Sequence, residues 1–525
     1  MKRFAVLLLC VLTAAAVSWA GGSKESGAAA GARPAGGFQY TGTGPVTDKP
    51  VTLSILATNA YYSSVDLAVA PVIQELTKRA GVTIDWQLLP PGNYKDAVSP
   101  RLAAGQGLAD IVYLPDQDPT MKYIQGKLFI PIDDLYARYG VNLKKLYAGE
   151  LAGAKASLTT PDGKMYYVPQ TALANNYQPC FMVNLRWLKQ VGLSEPATLE
   201  EFTAMLRRFK SGDPNANGKQ DEIPLSITKG NVAYGFSPIF GINLASRFYG
   251  DKDGKAHFAF LEPAYKEYLT YLNGLYKEGL LESSFATTTR DQIIARFAQN
   301  ITGTAFDFSW HMSSTFSAQF KDYNRETPVV KGILPLKGPH GDQFYLGRNP
   351  ISGMFGISKD CKNPEVAFRF LDFAVGDEAQ ELYVYGIEGI TYTLANGKKQ
   401  FTEQGRNNDF IQKFGINAVN VPLRQSTAAT DTLLPAWHVA FDRQVLPFMR
   451  SPWPFLYYLP NESTVENQYM TDINTYVDEM DLKFITGAES LANFDKYLET
   501  LRKMNIETVL NVRQVQWDRY RASSR

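Results

Sequence analysis

Three strand-like apolar runs alternate with two helix-like runs between Val51 and Leu114, and this order restricts the fold more than any other feature. VTLSIL begins at Val51, VTIDWQLL at Val82, and ADIVYL spans Ala109 to Leu114. Val65 to Ala80 repeats apolar residues at helical spacing and ends at Gly81, and Asn93 to Ala104 is the next helix. A βαβαβ order predicts an α/β class with a parallel sheet and helices on its faces. In such sheets ligands sit at the loops after the carboxyl ends of strands. Those loops carry Tyr61, Tyr62, Asp116 and Gln117.

The 525 residues are too many for one ordinary core, so two or more lobes are expected. Lys plus Arg number 53 against 52 Asp plus Glu, which leaves no global field to hold nucleic acid or an anionic membrane. Aromatic residues reach 13%, a surplus that suits stacking on sugars or peptides once the core is filled. Lys2 and Arg3, the apolar run Phe4 to Val17 and Ser18-Trp19-Ala20 read as an export signal at residues 1–20, cleaved after Ala20. A periplasmic or cell-surface location follows, with a soluble mature chain expected to be a monomer. Cys10 lies inside the apolar run behind the bulky Leu9, a poor site for lipidation. Cys180 and Cys361 read as two unpaired thiols, and no Cys/His cluster suggests zinc. Residues 21–48, rich in Gly, Ala, Ser and Pro, read as a flexible tether.

Farther on, Thr160 to Lys164 is a turn leading into the strand MYYVPQ, and CFMVN is another strand. Thr198 with Glu201 three residues later marks a capping box for a helix to Phe209. GISK (Gly356 to Lys359) reads as a strand re-entering a sheet, with a helix from Pro364 to Ala374 behind it. The tail from Glu466 to Arg519 is largely helical.

Several stretches together resemble the extracellular solute-binding proteins (family 1) of ABC sugar importers, nearest to the alginate- and aldouronate-binding subgroup. They include DGKMYYVPQ, FMVNLRWLKQVGL with PATLEEFTAMLRRFK, DPNANGKQDEIPL, GILPLKGPHGD, ISGMFGISKDCKNPEVAFRFLDF, YGIEGITYTL and the tail KFITGAESLANFDKYLETLRKMNIETV with QVQWDRY. Each is weak alone, but their order covers about Val51 to Tyr520. The resemblance implies a type II periplasmic-binding-protein fold, two α/β lobes joined by a hinge of crossing strands. It implies closure on an oligosaccharide, neutral or acidic, and delivery to ABC permease subunits in the membrane. The expected lobes are residues 49–172 with 353–429, and 173–352 with 430–525. The subgroup is often lipidated, and here this chain departs from it.

Asp213, Asn215, Asn217, Lys219, Asp221 and Glu222 place oxygens at alternate positions of one loop, 213–222, with Gly218 where an EF-hand turns sharply. Lys219 would give its backbone carbonyl. Pro224 stands where an EF-hand has its last ligand, and the resemblance implies that Glu222 supplies that carboxylate. The expected cofactor is one structural Ca²⁺; the bland alternative is a solvated Asx-rich turn.

Sugars offer flat C–H faces to aromatic rings and hydroxyls to Asp, Asn, Gln and Arg. Beyond the strand-end residues above, the candidates are Asn175, Asn176, Tyr177, Trp310, Arg348, Tyr392 and Trp437. Core packing is the competing role for each aromatic. Trp310 follows the strand TAFDFS, Trp437 lies near a third crossover, and Arg348 suits either a sugar carboxylate or a salt bridge at the hinge. Four His and no HExxH, GxSxG or Walker loop argue against an enzyme. Two carboxylates suffice for a glycosidase, which stays the rival class. A receptor-type surface module without an importer is the third.

Overall fold

The computed structural model describes residues 38–58, 66–90, 93–114, 121–149, 151–172, 178–416, 424–425 and 427–523. The expected export signal and most of the expected tether lie outside them. In chain order the first strands are β1 (Thr52–Thr58), β2 (Thr83–Leu89), β3 (Ile111–Leu114), β4 (Tyr167–Ala172), β5 (Pro179–Asn184) and β6 (Ile223–Ser226). The hairpin of β7 (Phe248–Gly250) and β8 (Ala256–Phe258) precedes β9 (Thr302–Phe308), β10 (Val330–Gly332) and β11 (Tyr345–Leu346). Then come β12 (Ile351–Ile357), the hairpin of β13 (Tyr392–Ala395) and β14 (Lys398–Phe401), β15 (Arg424–Gln425) and β16 (Met449–Arg450).

Two α/β lobes result. The first is built on a six-stranded sheet in the order β15-β4-β12-β3-β1-β2. β1 lies parallel to β2 and β3, as the alternation predicted, while β12 runs antiparallel to β3 and β4. All four residues of β3 are buried, and β2 at the sheet edge is only half-covered. The first helix buries Val72, Ile73, Leu76 and Ala80. It starts at Pro71 rather than Val65, because proline suits the first helical turn and lacks the N–H that an earlier start would need. Gly81 ends it in a left-handed cap, as expected.

β12 begins at Ile351, five residues before the strand expected at Gly356. Gly353 and Gly356 hide it from any apolar alternation, and both are required by packing. A Cβ would come 2.6 Å from the Tyr113 ring at Gly353 and 2.6 Å from the Phe129 ring at Gly356.

The second lobe is built on a four-stranded sheet, β10-β5-β9-β6. Phe181 on β5 meets Phe202, Phe236 and Phe306 with ring centroids 4.9–5.0 Å apart. Trp187 is fully buried there, and its indole N–H donates to Asn300 Oδ1 at 3.0 Å. The helix Leu199–Ser211 carries the expected capping box of Thr198 and Glu201. Three C-terminal helices, Pro460–Thr486, Phe494–Lys503 and Ile506–Ser523, add Ile473, Phe484, Tyr497 and Val509 to the same core.

The chain passes between the two sheets three times: from β4 to β5, from β11 to β12, and from β15 back to the helix Ala436–Val445, whose Phe441 and Val445 join the second core. β11 and β16 pair in parallel as a short ribbon at the second crossing.

The end of the expected tether needs correction. Tyr40 and Val46 are buried, and the Tyr40 hydroxyl donates to Asp372 Oδ2 at 2.9 Å. The buried Tyr40 and Val46 seat the end of this small-residue segment on the first lobe. Cys180 and Cys361 are unpaired. Among the described residues no helix is long and apolar enough to cross a membrane.

Candidate functional site

The parallel strands β1 and β3 end at Thr58 and Leu114, and the register of β12 sets Met354 opposite Leu114 and Ile351 opposite Thr171 of β4. The carboxyl ends of the first sheet thus share one edge with the crossing strands. Tyr61, Tyr62, Asp116, Gln117, Asn175, Asn176 and Tyr177 all follow strand ends on this edge, but they lie outside the described residues. Beside the β4–β5 crossing, Gln170 Oε1, Thr171 Oγ1 and Gln178 Oε1 are buried with no hydrogen-bond partner. Buried oxygens without a donor are costly, and three of them lie beside this crossing.

The second lobe brings the end of β9 to the same crossings. Asp307 lies within the apolar run of β9, and its side chain is 1% exposed. Arg290, at the start of the helix Arg290–Ala298, forks onto it with Nε to Oδ2 at 2.6 Å and Nη2 to Oδ1 at 2.9 Å. The carboxylate holds the Arg290 guanidinium above its ordinary value. Phe308 follows, and the Arg348 guanidinium lies over its ring at 5.1 Å. The salt bridge considered for Arg348 is not formed: no carboxylate pairs with it among the described residues. Trp310, half-buried, stands two residues past the strand end, and its carbonyl accepts the Ser314 hydroxyl at 2.7 Å.

Trp437 is joined to this group through its neighbour His438. The Ser313 hydroxyl and His438 Nδ1 are 2.7 Å apart, and His438 Nε2 lies 3.4 Å from Asp442 Oδ2. Trp437 itself packs partly on the second core, and its indole N–H donates to the Arg325 carbonyl at 2.9 Å. The fold therefore takes up much of that ring. Burial pushes the Asp442 carboxyl up to about 8, and Asp431 adds to the effect. Burial lowers His438 to about 3, helped by Arg325. Tyr392 stands apart on the β13–β14 hairpin, where its ring meets Tyr385 and the Lys399 ammonium.

Sequence reasoning missed the Arg290–Asp307 fork and the Ser313–His438–Asp442 chain. A lone Asp inside an apolar strand was the available signal for the first, because such a group demands a partner. Nothing in the local pattern announces the second.

The loop 213–222 folds around its oxygens. Asp213 Oδ1 and Oδ2 accept the N–H groups of Asn217 and Gly218, each at 3.1 Å. The side-chain amides of Asn215 and Asn217 both donate to Asp221 Oδ1 at 3.1 Å. Asp213, Ala216 and Gly218 adopt positive φ of 44°, 55° and 72°, which coils the chain tightly. Glu222 Oε1 is buried without a partner. Burial raises its carboxyl, with Asp221 and Asp213 repelling it. Among the described residues no three His, Cys, Asp or Glu side chains cluster closely enough to hold a metal by themselves. The oxygen set here draws instead on Asn and backbone as well as carboxylates, which suits a hard cation, and the orphaned carboxylate oxygen fits one.

The family model for bacterial extracellular solute-binding proteins matches residues 63–381, more than half of the chain. The chain belongs to that family. The fructooligosaccharide ABC transporter substrate-binding protein FusA of Streptococcus pneumoniae is 25% identical over 525 residues, covering 92% of each chain. The solved structure of the alginate-binding protein AlgQ2 without calcium ion has a TM-score of 0.73 at 20% identity, covering 90% of this chain and 99% of that one. A FusA EF-hand mutant in complex with fructo-nystose gives 0.72 at 21% identity with the same coverage. The shared fold is the type II periplasmic-binding-protein architecture.

Proposed function

We propose that the chain is the substrate-binding component of an ABC importer, which closes two lobes on an oligosaccharide and delivers it to membrane permease subunits without turnover. The observation that carries this reading is a pair of α/β sheets linked by three chain crossings in a member of the solute-binding family, and Trp310 follows the end of β9 two residues on. The lobes are residues 49–172 with 353–429 and residues 173–352 with 430–525. The mature chain acts outside the inner membrane as a monomer. Relatives named for fructooligosaccharide and alginate support a saccharide ligand.

Affinity comes from aromatic faces and polar contacts in a cleft that dries on closure. Trp310 is the foremost stacking residue, and Trp437 contributes less because the core holds part of it. Asp307, the carboxylate near the end of β9, is buried and held through both oxygens by Arg290, a state unsuited to acid–base work. A glycosidase needs two carboxylates about 5–9.5 Å apart. Loop 213–222 binds one structural Ca²⁺ through Asp213, Asn215, Asn217, Asp221, Glu222 and the Lys219 carbonyl. When bound, the ion neutralises the crowded carboxylates and pins the loop.

The test is a thermal-shift screen of neutral and acidic oligosaccharides, followed by calorimetric titration of Trp310→Ala and Trp437→Ala. Loss of one stacking indole is expected to cost about 1–3 kcal/mol, roughly tenfold or more in Kd, with the larger loss at Trp310. If both variants bind as the parent does, the site is elsewhere. If the sugar is cleaved during titration, the protein is an enzyme.

A further inference from the structure

The three crossings all meet the first sheet at one edge. β4 leaves past Thr171 and Ala172, β15 pairs with those two residues in parallel, and β12 enters at Ile351 opposite Thr171. The other edge is marked by Tyr167 at the start of β4, opposite Gly356. A further attachment between the lobes lies at that other edge. Between β16 and the helix Pro460–Thr486 the chain runs through residues 451–459 without regular structure. Trp453 in this stretch packs against the second core. Phe455, Leu456 and Tyr457 do not join that core, yet they are only 3%, 8% and 4% exposed.

Their burial comes from the first lobe. The Tyr457 hydroxyl donates to the Leu158 carbonyl at 3.5 Å, and Leu158, itself 0% exposed, ends the helix Ala154–Leu158 that precedes β4. Burial pushes the Tyr457 phenol up, with Tyr166 adding to the effect, and burial with Tyr457 close by raises Tyr147 and Tyr167. All three neighbours belong to the first lobe. The second lobe clamps the segment from behind. Glu462 Oε2, in the first turn of Pro460–Thr486, accepts the Leu459 N–H at 2.8 Å and Arg519 Nη2 at 2.9 Å. Arg519, on the last helix Ile506–Ser523, also donates to the Tyr457 carbonyl at 3.1 Å. Beside this clamp Tyr520 and Ser523 of the same helix share a cavity of about 190 Å³ with Ala156 and Gly163 of the first lobe.

Two bodies joined at one edge can bend in every direction their connecting strands allow. A second attachment, set off along β4 by the four steps from Tyr167 to Thr171, about 13 Å of strand, leaves rotation about the line through both attachments as the easy motion. Pulling the segment out would expose two aromatic rings and a leucine to water, so motion that keeps it seated costs less. We propose that Phe455–Tyr457 is a fixed pivot, which stays seated on the first lobe while the lobes move and, with the three crossings, confines them to one axis. This inference rests on the two-lobed closure in the reading above and adds to it a hinge element that the crossings do not supply.

The test needs no ligand, so its failure leaves the saccharide reading to the titrations above. The mature protein carrying Cys361→Ser is spin-labelled at Gln74→Cys of the first lobe and Arg208→Cys of the second, and in a second pair at Gln74→Cys and Lys496→Cys. All three sites are exposed, and the remaining Cys180 is fully buried. Pulsed electron resonance reads the distribution of distances between the labels. Tyr457→Ala should give distributions roughly twofold broader than the parent, because one of two attachments is lost. Tyr457→Phe, which drops only the hydroxyl, should stay near the parent. Equal widths in Tyr457→Ala and the parent overturn the inference. Should Tyr457→Ala fail to fold, a short bismaleimide bridge between Ala156→Cys and Ser523→Cys, closed before labelling, decides the matter. A pivot that stays seated leaves both distributions as they were, whereas narrowed or displaced distributions mean that this contact opens as the lobes move, and the pivot is excluded.

Discussion

Single side chains in this protein are governed by what burial does to charge. Asp442 and His438 lie against each other in a dry site, and both are pushed toward their neutral forms. The unfolded chain ionises Asp near pH 3.9 and protonates His near 6.5. Asp442 therefore binds a proton in the fold that the unfolded chain has lost, so its contribution to stability falls as pH rises from about 4 to about 8. His438 acts oppositely, and its contribution is lost as pH falls from about 6.5 toward 3. Between pH 6.5 and 8.5 only the Asp442 effect changes. Urea midpoints of the parent should drop across that interval, and Asp442→Asn should show a distinctly smaller drop. Equal drops in the two proteins would mean that the carboxyl is ionised throughout. The His438–Asp442 pair could not be read from the chain, and Asp307 inside an apolar strand announced the need for a partner without naming it. Arg290 precedes Asp307 by a helix and most of a strand, and only the folded sheet end brings them together.

At the scale of elements, regular patterns were readable and close packing was not. The alternation of β1 to β3 with their helices gave a parallel sheet edge, and Thr198 with Glu201 gave a helix start to the residue. β12 escaped because glycine at 353 and 356 makes room for Tyr113 and Phe129 while erasing the apolar repeat. Loop 213–222 was readable as an oxygen-rich coil, since Asx residues at alternate positions with Gly218 permit little else. A cation that binds only the folded loop stabilises the native state by mass action. Chelation should therefore lower the melting temperature, and Ca²⁺ should restore it where Mg²⁺, which demands a stricter octahedral shell, does not. Asp213→Ala should melt like the chelated parent and ignore chelator. A parent indifferent to chelation would reduce the loop to a solvated turn.

For the whole molecule, the decisive fact is the order in which the chain visits its two sheets. β12 lies between β3 and β4, yet residues 173–350, most of the second lobe, separate it from β4 in the chain. A chain ending at residue 340 holds β1 to β4 but not the strand that joins β3 to β4. Amide exchange in such a truncation should find β1 to β4 unprotected, whereas the intact protein protects them; native-like protection in the shortened chain would show that the first lobe closes without β12. The contacts of that strand are among the most distant in sequence, and their closure comes late and slowly. A ribosome working through this message therefore releases the early strands long before their central neighbour exists. For that interval the front of the chain is still a thread, and it gains its central strand only once Ile351–Ile357 has been made, about two thirds of the way along the chain.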